Sequence, residues 1–599
     1  MRVTLWVGAA LVALVVAAAP GQAASLPAVN TAVAGSADAS LKSLYDGYAA
    51  WEEKEFGTFE NSRGGRERAG YLPHVDEASQ LRRASYLKNL LAQLDAIPAT
   101  QLSPGEQVNA AVFRTVLEAD VADAGFRTWE MPFNSDSSFW TYLDAQQPFD
   151  DADGYRRYVA RMRDIPRYFN EQIANMRAGL ARGFSVPRAT LNGRDKSVAA
   201  FIVDDPEKST FYKVFQNIPS NVPTAEQQAL RAQGRAVIEQ SVMPAYRKLL
   251  AFIRDDYIPH TRTTISAHDL PDGDAFYRAQ VREFTTTDMT PQQIHQLGLQ
   301  EVARIDAEMQ KTMRESGFKG SMAEFLKFLK SDPQFYAKTP DELLGVSSYV
   351  AKRVDGVIGK HFGLLPRRRF GIIPVPDALA PFYTSGRGGL ENCMMNTYDL
   401  PVRPLYNIPV LTLHECEPGH SFQMAISAEQ KGLPKFRRNL YFSGMGEGWG
   451  LYSEWLGDEL GIYRTPYEKF GQLSYDMWRA ARLVIDTGIH QYGWSRQRAI
   501  DYLASHTALT QHEVETEVDR YISWPGQALA YKLGELTILR LRHEAESRLG
   551  SKFDERRFHD AILALGSVPL TVLEDRMHAF IREEAAKAPA AEARAQARP

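Results

Sequence analysis

The chain has 599 residues, of which 44% are hydrophobic and 24% are charged, the ordinary composition of a globular protein. This length is compatible with more than one domain. The formal net charge is −4, so there is no excess of positive charge for binding nucleic acid or an anionic membrane surface. We therefore expect neither as a partner.

The N-terminus has the features of a signal peptide. Arg2 precedes an uncharged apolar run over residues 5–19, which is shorter than the ~20 residues of a membrane-spanning helix. Small residues then favour cleavage after Ala23, and no cysteine follows the run to carry a lipid. We expect residues 1–23 to be removed and the protein to be periplasmic or secreted, without a stable membrane anchor. The alternative is a buried N-terminal helix.

Helix start signals recur along the chain and predict a mostly α-helical fold. Thr290, Thr465 and Thr510 each precede a helical apolar pattern and have Gln or Glu three residues later, the spacing of a capping box. The Ala/Arg/Glu/Pro-rich C-terminus has little to bury and is predicted to be disordered. The predicted organisation is a helical N-terminal lobe (40–365), a zinc-binding catalytic lobe (366–584) and a disordered tail (585–599).

One region differs from this helical pattern. Residues 369–375 (RFGIIPV) and 390–398 (LENCMMNTY) are short and β-prone, and a Gly/Pro-rich stretch separates them. They predict a small antiparallel sheet just before the candidate metal helix. The only two cysteines, Cys393 and Cys416, do not make a disulfide framework. We expect them to pack as small buried hydrophobic residues, with a single bridge as the alternative.

His414 and Glu415 begin a pattern that is typical of zinc peptidases, within the segment LTLHECEPGHSF. In the usual H-E-x-x-H helix, two histidines four residues apart bind zinc and the glutamate takes a proton from water. Here Pro418 occupies the second histidine position, and the next histidine is His420. On a regular helix His420 would lie roughly 120° away from His414. We expect a break at Glu417–Pro418 to bring the histidines together; the alternative is two histidines without a metal.

A third ligand is available downstream, in the segment GMGEGWGLYSEW. Catalytic zinc usually has three protein ligands and one open position. Glu447 and Glu454 are seven residues apart, so they share one face of a helix. We predict a zinc ion held by His414, His420 and Glu447, with Glu454 orienting a ligand histidine. The two glutamates can exchange these roles, and a solvated acidic face is the alternative without a metal.

These motifs resemble the bacterial family known as domain of unknown function 885, which typically has H-E-x-x-P-G-H-H and E-G-W-A-L-Y-x-E. Further segments resemble it at 270–286, 482–495 and 520–535, and the similarity covers roughly residues 40–580. The family is thought to be related to helical zinc peptidases such as thimet oligopeptidase and carboxypeptidase Taq. The resemblance implies a two-lobed, zincin-like helical peptidase with a channel between half-shells. The sequence departs from the pattern at Ser421, where the family often has a histidine.

The catalytic candidates include residues outside the metal motifs. Glu415 is predicted to be the general base, because it is adjacent to a ligand in the position that faces the attacking water in related motifs. Peptide hydrolysis also needs a hydrogen-bond donor for the developing oxyanion. Because related helical peptidases use Tyr or His late in the chain, His490, Tyr492 and Tyr531 are candidates for that role.

Substrate-binding candidates are predicted from residue type. Arg482 or Arg520 is expected to bind a substrate carboxylate through two hydrogen bonds. Asn396, on the proposed strand, is expected to bind the substrate backbone by strand addition, and Tyr492 is also a candidate for contact with substrate. The GRGG segment, residues 386–389, is interpreted as a flexible loop and not as a phosphate site.

Together these features predict an exported zinc metallopeptidase that hydrolyses short peptides. One alternative is a zinc-dependent amidase that acts on non-peptide acyl amides with the same chemistry. Another is a zinc-dependent peptide-binding protein without turnover. A binding protein has no need of a general base beside a metal ligand, so Glu415 favours an enzyme.

Overall fold

The computed structural model describes residues 36–60, 66–377, 380 and 383–587. The predicted signal peptide and residues 588–599 of the predicted tail lie outside this range. The beginning of the predicted tail, Ala585 and Ala586, instead forms the end of the last helix. Each helix within the described residues is too short or too polar to cross a lipid bilayer.

The chain is mostly α-helical, as predicted, and divides into two compact units. The first unit contains the described residues up to Thr264 together with Pro434–Phe436. It has its own core of aliphatic and aromatic side chains, centred on the long helix α4. Its elements are α1 (Ala37–Phe56), β1 (Thr58–Glu60), β2 (Arg66–Arg68), α2 (Glu77–Asp95), α3 (Pro104–Phe126), α4 (Ala152–Arg182), α5 (Arg194–Ala199), α6 (Lys213–Gln216), α7 (Thr224–Val237), α8 (Met243–Phe252) and α9 (Ile258–His260).

The second unit contains Ile265–Leu433 and the chain from Arg437 onward, and it includes every metal-ligand candidate named above. Its first elements are α10 (Gly273–Thr285), α11 (Pro291–Glu315), α12 (Met322–Ser331), α13 (Pro340–Asp355), α14 (Ile358–His361), β3 (Gly371–Pro374), β4 (Gly386–Arg387) and β5 (Asn392–Met395). Its later helices are α15 (Ile408–Glu415), α16 (His420–Glu429), α17 (Ser443–Leu456), α18 (Pro466–His490), α19 (Arg496–His506), α20 (Gln511–Ser523), α21 (Ala530–Leu549), α22 (Glu555–Leu563) and α23 (Leu570–Ala586).

The division between the units falls well before the predicted lobe boundary near residue 365. Helices α10 to α14, which the sequence placed in the N-terminal lobe, belong to the second unit. The reason is the packing of α11 along α18, the most extensive helix pair of the protein. Ile305 and Met309 of α11 share a buried cluster with Val484 of α18. Such long-range packing is not visible in the local sequence pattern.

The predicted caps begin their helices. Thr290 and Thr510 each accept a hydrogen bond from the third residue of the helix, whose side chain accepts one from the threonine N–H in return. Thr465 also accepts a hydrogen bond from the N–H of the third helix residue, Glu468. The return bond is displaced by one residue, because the carboxylate of Glu468 accepts from the N–H of Arg464 at 2.6 Å. These local signals correctly located the starts of three helices.

The sheet beside α15 is mixed, so the prediction of an antiparallel sheet was wrong. Its order is β3-β5-β4, with β3 parallel to β5 and β4 antiparallel to β5. A short turn joins β4 directly to β5, which makes these two strands an antiparallel pair. This leaves the other edge of β5 for β3, in the register Gly371 to Asn392 and Pro374 to Met395.

The two cysteines form a disulfide, which corrects the expectation that they only pack. Cys393 lies within β5, and Cys416 directly follows α15. Their Cα atoms are 5.5 Å apart, a separation that a disulfide spans. Both residues are fully buried in the cluster between the sheet and α15. The bridge therefore ties the sheet to the end of the helix that carries His414.

Asp486 is a fully buried carboxyl on α18 that joins three segments of the second unit. It accepts hydrogen bonds from the hydroxyl of Tyr277 on α10 at 2.6 Å and from the N–H of Gly526 at 3.0 Å. Burial raises the pKa of Asp486 to about 7, although both hydrogen bonds act to lower it.

This carboxyl should make the stability of the protein depend on pH. Because the pKa of Asp486 is raised from 3.8 in the folded state, the folded protein holds an extra proton between about pH 4 and 7. Stability should therefore fall as the pH rises through this window and then level off. The free energy of unfolding of the wild type should fall by about 1.4 kcal/mol per pH unit in this window, and that of Asp486→Asn should not. The variant should therefore gain stability relative to the wild type, by a few kcal/mol between pH 5 and 7.

Urea unfolding at a series of pH values measures this difference. The same substitution at the exposed Asp501 serves as the control. A pH-independent difference between wild type and Asp486→Asn would contradict the expectation.

Candidate metal centre

A break in the helix brings His414 and His420 together. Helix α15 ends at Glu415, α16 begins at His420, and the peptide bond between Glu417 and Pro418 is cis. The two imidazole rings lie 4.7 Å apart, centre to centre, with an interplanar angle of 89°. The expected break is therefore confirmed, and it reorients the second histidine by starting a new helix.

The break depends on a close approach of two backbone segments. A Cβ atom at Gly419 would lie 1.9 Å from the carbonyl oxygen of His414, so only glycine fits there. On the other side, the indole N–H of Trp449 donates a 2.8 Å hydrogen bond to the carbonyl of Pro418. Helix α17, which carries Trp449, is thereby fixed against the break.

Helix α17 supplies the third group of the cluster. The Oε2 atom of Glu447 lies 3.5 Å from Nε2 of His414 and 3.3 Å from Nε2 of His420. The three potential ligand atoms all lie within 4.8 Å of one another. The structure thus brings these three predicted residues together. Two imidazole nitrogens and one carboxylate oxygen at this spacing fit a zinc ion with an open fourth position.

Glu454 takes the supporting position. It is one of the most buried carboxylates of the second unit, and its Oε1 atom accepts a 2.7 Å hydrogen bond from Nδ1 of His414. This bond places the proton of His414 on Nδ1 and leaves Nε2 to face Glu447. A guanidinium nitrogen of Arg479 lies 3.5 Å from the same oxygen, and its cation faces the rings of Tyr475 and Trp478.

The charges of the cluster balance each other. Burial acts to raise the pKa of Glu447, but hydrogen bonds to His414 and His420 hold it well below its usual value. Burial likewise disfavours the charged form of His414, but its bonds to Glu447 and Glu454 raise the pKa of His414 to about 9. Contacts with both imidazoles thus favour the charged form of Glu447, and a divalent cation held at the same position would favour it too.

Two other groups of three potential ligands occur among the described residues. They are His74 with Asp76 and Glu171, and His361 with Glu459 and Glu555. Each group contains a single imidazole, and in each an arginine already forms an ion pair with one of the carboxylates. Glu171 pairs with Arg167 at 2.8 Å, and Glu459 pairs with Arg542 at 2.7 Å. Since these carboxylates are already neutralised, they are poorer metal sites than the cluster of His414.

Residues 386–389, predicted as a flexible loop, form β4 and the start of the turn after it, and the turn contacts the rest of the motif. The N–H of Gly388 donates a 2.6 Å hydrogen bond to Oε2 of Glu415, and the N–H of Gly389 donates to Oγ of Ser421 at 3.1 Å. A Cβ atom at Gly388 would lie 2.0 Å from the carbonyl oxygen of Glu415 and 2.7 Å from Cβ of His420. The sequence indicated only a flexible loop here, because nothing local predicts which carboxylate the loop meets.

Ser421 explains the departure from the family pattern. It is buried, and its hydroxyl donates to the carbonyl oxygen of Glu415 at 3.1 Å while accepting from Gly389. It therefore ties α15, α16 and the loop together. His420 alone supplies the second imidazole of the cluster.

Tyr441 is a residue at the cluster that the sequence analysis missed. Its hydroxyl donates a 2.9 Å hydrogen bond to Oε1 of Glu447. Although Tyr441 is 42% exposed as a residue, burial of its hydroxyl and the neighbouring charge of Glu447 raise the pKa of Tyr441 well above its usual value, with contributions from Tyr531 and Glu415. The predicted residue Tyr531 therefore lies in the same electrostatic environment. Tyr441 precedes α17, so no helical spacing in the sequence relates it to Glu447.

Other predicted residues have structural partners instead. Both ring nitrogens of His490 bond to backbone, to the N–H of Ala267 and the carbonyl of Tyr521, each at 2.9 Å. The amide of Asn396 is buried and donates to the carbonyls of the loop before β4. His490 and Asn396 thus maintain the fold, which corrects their assignment to catalysis and substrate binding. Tyr492 is exposed and packs its ring on His295.

The two predicted carboxylate-binding arginines are engaged with a glutamate. Arg482 is only 2% exposed and donates to Glu517 at 2.9 Å, while Arg520 lies 3.5 Å from the other oxygen of Glu517. The cation of Arg482 also covers the ring of Tyr531, whose hydroxyl accepts a hydrogen bond from Arg520. Burial and pairing make Arg482 a support for Tyr531, and this corrects its assignment to substrate binding.

The fold and the site define a mostly helical protein with a His-His-Glu cluster at a broken helix. The chain belongs to a family of bacterial proteins of unknown function, DUF885, whose pattern matches residues 58–577. No curated protein matches it.

Solved structures, among them those of two bacterial proteins, resemble the chain over most of its length. A protein described as a putative lipoprotein from Colwellia psychrerythraea is 27% identical, with a TM-score of 0.83 over 92% of this chain and 100% of that one. A putative lipoprotein of unknown function from Shewanella oneidensis has a TM-score of 0.66 at 18% identity, over 91% of this chain and 100% of that one, and shares the fold.

The cluster leads to a prediction about metal content. We expect one zinc per chain in the wild-type protein and none retained after dialysis in His420→Ala, because two remaining ligands do not hold zinc firmly. Glu454→Gln should weaken zinc binding roughly 10- to 100-fold, since the support of His414 is lost. Elemental analysis and competition with a chelator measure both effects.

His361→Ala is the matched control, because His361 belongs to one of the other acidic groups. It should keep the full zinc content. Zinc retained in His420→Ala but lost in His361→Ala would show that the metal is bound by His361, Glu459 and Glu555 instead.

Proposed function

We propose that this protein is a zinc-dependent peptidase that hydrolyses short peptides. The observation that carries the proposal is the convergence of His414, His420 and Glu447 next to Glu415. This combination supplies three ligands and a separate carboxylate that binds no metal. Zinc held by these residues would lower the pKa of a coordinated water toward neutrality and polarise the carbonyl of the substrate.

Glu415 is the general base of the proposed reaction. One of its carboxylate oxygens is held by the N–H of Gly388, so the side chain is fixed in orientation while its other oxygen is available for a proton. The hydrogen bond from His414 to Glu454 fixes the imidazole of the neighbouring ligand. Glu415 takes a proton from water and passes it to the leaving amine of the peptide.

Tyr441 and Tyr531 are the donors that we propose for the oxyanion. The Tyr441 hydroxyl donates its proton to Glu447 in the free protein, and it would turn from this carboxylate to the oxyanion during the reaction. Arg520 donates to the hydroxyl of Tyr531, which leaves the phenol proton free to point elsewhere. Hydrogen bonds aimed at the charge that develops in the transition state are a large source of rate enhancement.

The size of the substrate is proposed from the burial of the cluster. The side chains of His414, His420 and Glu447 are 4%, 13% and 15% exposed, respectively. A folded protein would have to open locally to bring a peptide bond so deep, whereas a short peptide is already extended. The predicted signal peptide and the resemblance to a putative lipoprotein support action outside the cytoplasm, on short exogenous peptides.

The role of Glu415 can be tested by a matched pair of substitutions in one motif. Glu415→Gln should keep zinc and stability but lower peptide turnover by about 10²- to 10⁴-fold, because the general base is removed. Glu417→Gln should retain activity. Glu417 is buried, and burial followed by the charge of Asp355 raises the pKa of its carboxyl to about 8, so the side chain is mostly neutral at pH 7.

Cleavage of a mixed peptide pool, followed by mass spectrometry, gives the rates for both variants. Equal losses in both would show that the motif is only structural. Cleavage of acyl amides in preference to peptides would identify an amidase.

The substrate-size proposal has its own measurement. A stable folded domain is incubated with the enzyme beside a peptide pool made from the same domain. We expect the peptides to be cut and the folded domain to remain intact, because the metal cluster is buried. Internal cleavage of the folded domain at a rate like that of the peptides would contradict the proposal.

A further inference from the structure

A cavity lies in the second unit, beside helix α15 but apart from the metal cluster. Its volume is about 130 Å³, and none of its lining residues is a metal-ligand candidate. Leu411 lines it from α15, one turn before His414, and Ser385 and Asn396 line it from the ends of β4 and β5. The apolar part of its wall includes Leu343, Tyr406, Ile408, Leu411, Tyr475 and Trp478.

Two buried polar atoms in this wall have no partner. They are Oδ1 of Asn407 and Oγ of Ser474, and no group among the described residues forms a hydrogen bond with either atom. Ser474 is only 6% exposed. A buried polar atom without a partner costs free energy, so such atoms usually meet a bound molecule or an ordered water. The amide oxygen of Asn407 and the hydroxyl of Ser474 can each accept a hydrogen bond from a bound molecule.

The charged residues of the cavity are predominantly positive. Lys330 and Arg403 line it together with Glu513 as the single anion of the wall. Burial lowers the pKa of Lys330 and of Arg403, while the charge of Glu513 acts in the opposite direction on both. Glu513 is also occupied as a helix cap, since one of its oxygens accepts from the N–H and hydroxyl of Thr510. Two cations against one anion favour a ligand with one negative charge.

We propose that this cavity binds a small monocarboxylate that has an apolar body and a hydrogen-bond donor away from its carboxylate. The carboxylate pairs with Lys330 and Arg403, whose guanidinium is already positioned by hydrogen bonds to Ser385 and Tyr398. The apolar body contacts the aromatic wall, and the donor reaches Asn407 and Ser474. Water alone would satisfy the two polar atoms but would leave the excess charge and the apolar wall without a partner.

Calorimetric titration with 4-hydroxybenzoate tests the proposal. This probe has a carboxylate, an aromatic ring and a hydroxyl donor. We expect saturable binding to the wild-type protein, and about tenfold weaker binding of the uncharged 4-hydroxybenzamide, because the charge-assisted hydrogen bonds are lost. His420→Ala should bind the acid as wild type does, which separates this cavity from the metal cluster and makes the result independent of the proposed peptidase activity.

Two variants locate the binding. Ser474→Leu fills the cavity and should abolish binding, whereas Lys330→Gln removes a charge at an exposed position and should weaken binding several-fold even if the first variant folds poorly. Lys327→Gln, on the same helix but outside the cavity, is the matched control and should bind as wild type.

The source of the carboxylate can be distinguished in the same set of measurements. If it is the C-terminus of a bound peptide, the probe will raise the KM for peptides; if it is a free acid, the KM will not change. Binding that disappears in His420→Ala, or a crystal structure with the probe that contains only water in the cavity, would overturn the proposal.

Discussion

The site depends on one constraint, that two histidines six residues apart must face the same point. A continuous helix cannot meet it, because the second side chain would lie about 120° around the axis. The chain meets it by ending α15 at Glu415 and starting α16 at His420. The close backbone approach at Gly419 and the hydrogen bond from Trp449 to Pro418 hold this break in place. The neighbouring elements are arranged around it.

The four glutamates near the break differ in function because their neighbours differ. Glu447 faces two imidazoles, which keep its carboxylate charged. Glu454 is farther inside, between His414 and Arg479, and orients the first imidazole. Glu415 accepts a hydrogen bond from the backbone N–H of Gly388, which holds its carboxylate beside the cluster. Glu417 is buried away from the cluster, near another carboxyl, and is mostly neutral at pH 7. Environment, more than spacing, separates their roles.

Helix α15 contributes residues both to the metal cluster and to the cavity lined by Leu411. It is short and almost entirely buried, so it has no solvent-facing side. Leu411 contributes to the cavity, while His414 and Glu415 contribute to the cluster. The disulfide from β5 to Cys416 and the hydrogen bond from Gly388 to Glu415 connect the sheet to the end of this helix. A movement of α15 would therefore change the geometry of both the metal cluster and the cavity.

The sequence by itself determined the features that depend on near neighbours. The threonine caps, the helical content and the pair His414 and His420 follow from spacings of a few residues, while Glu447 and the family follow from the sequence motifs. Tertiary packing decided the rest. Only the folded chain decides between Glu447 and Glu454 for the bond to His414 Nδ1, and only it shows that His490 is bonded to backbone at both nitrogens and that the sheet is mixed. The physical reason is that these contacts join residues far apart in sequence, where no local periodicity or capping signal specifies the partner.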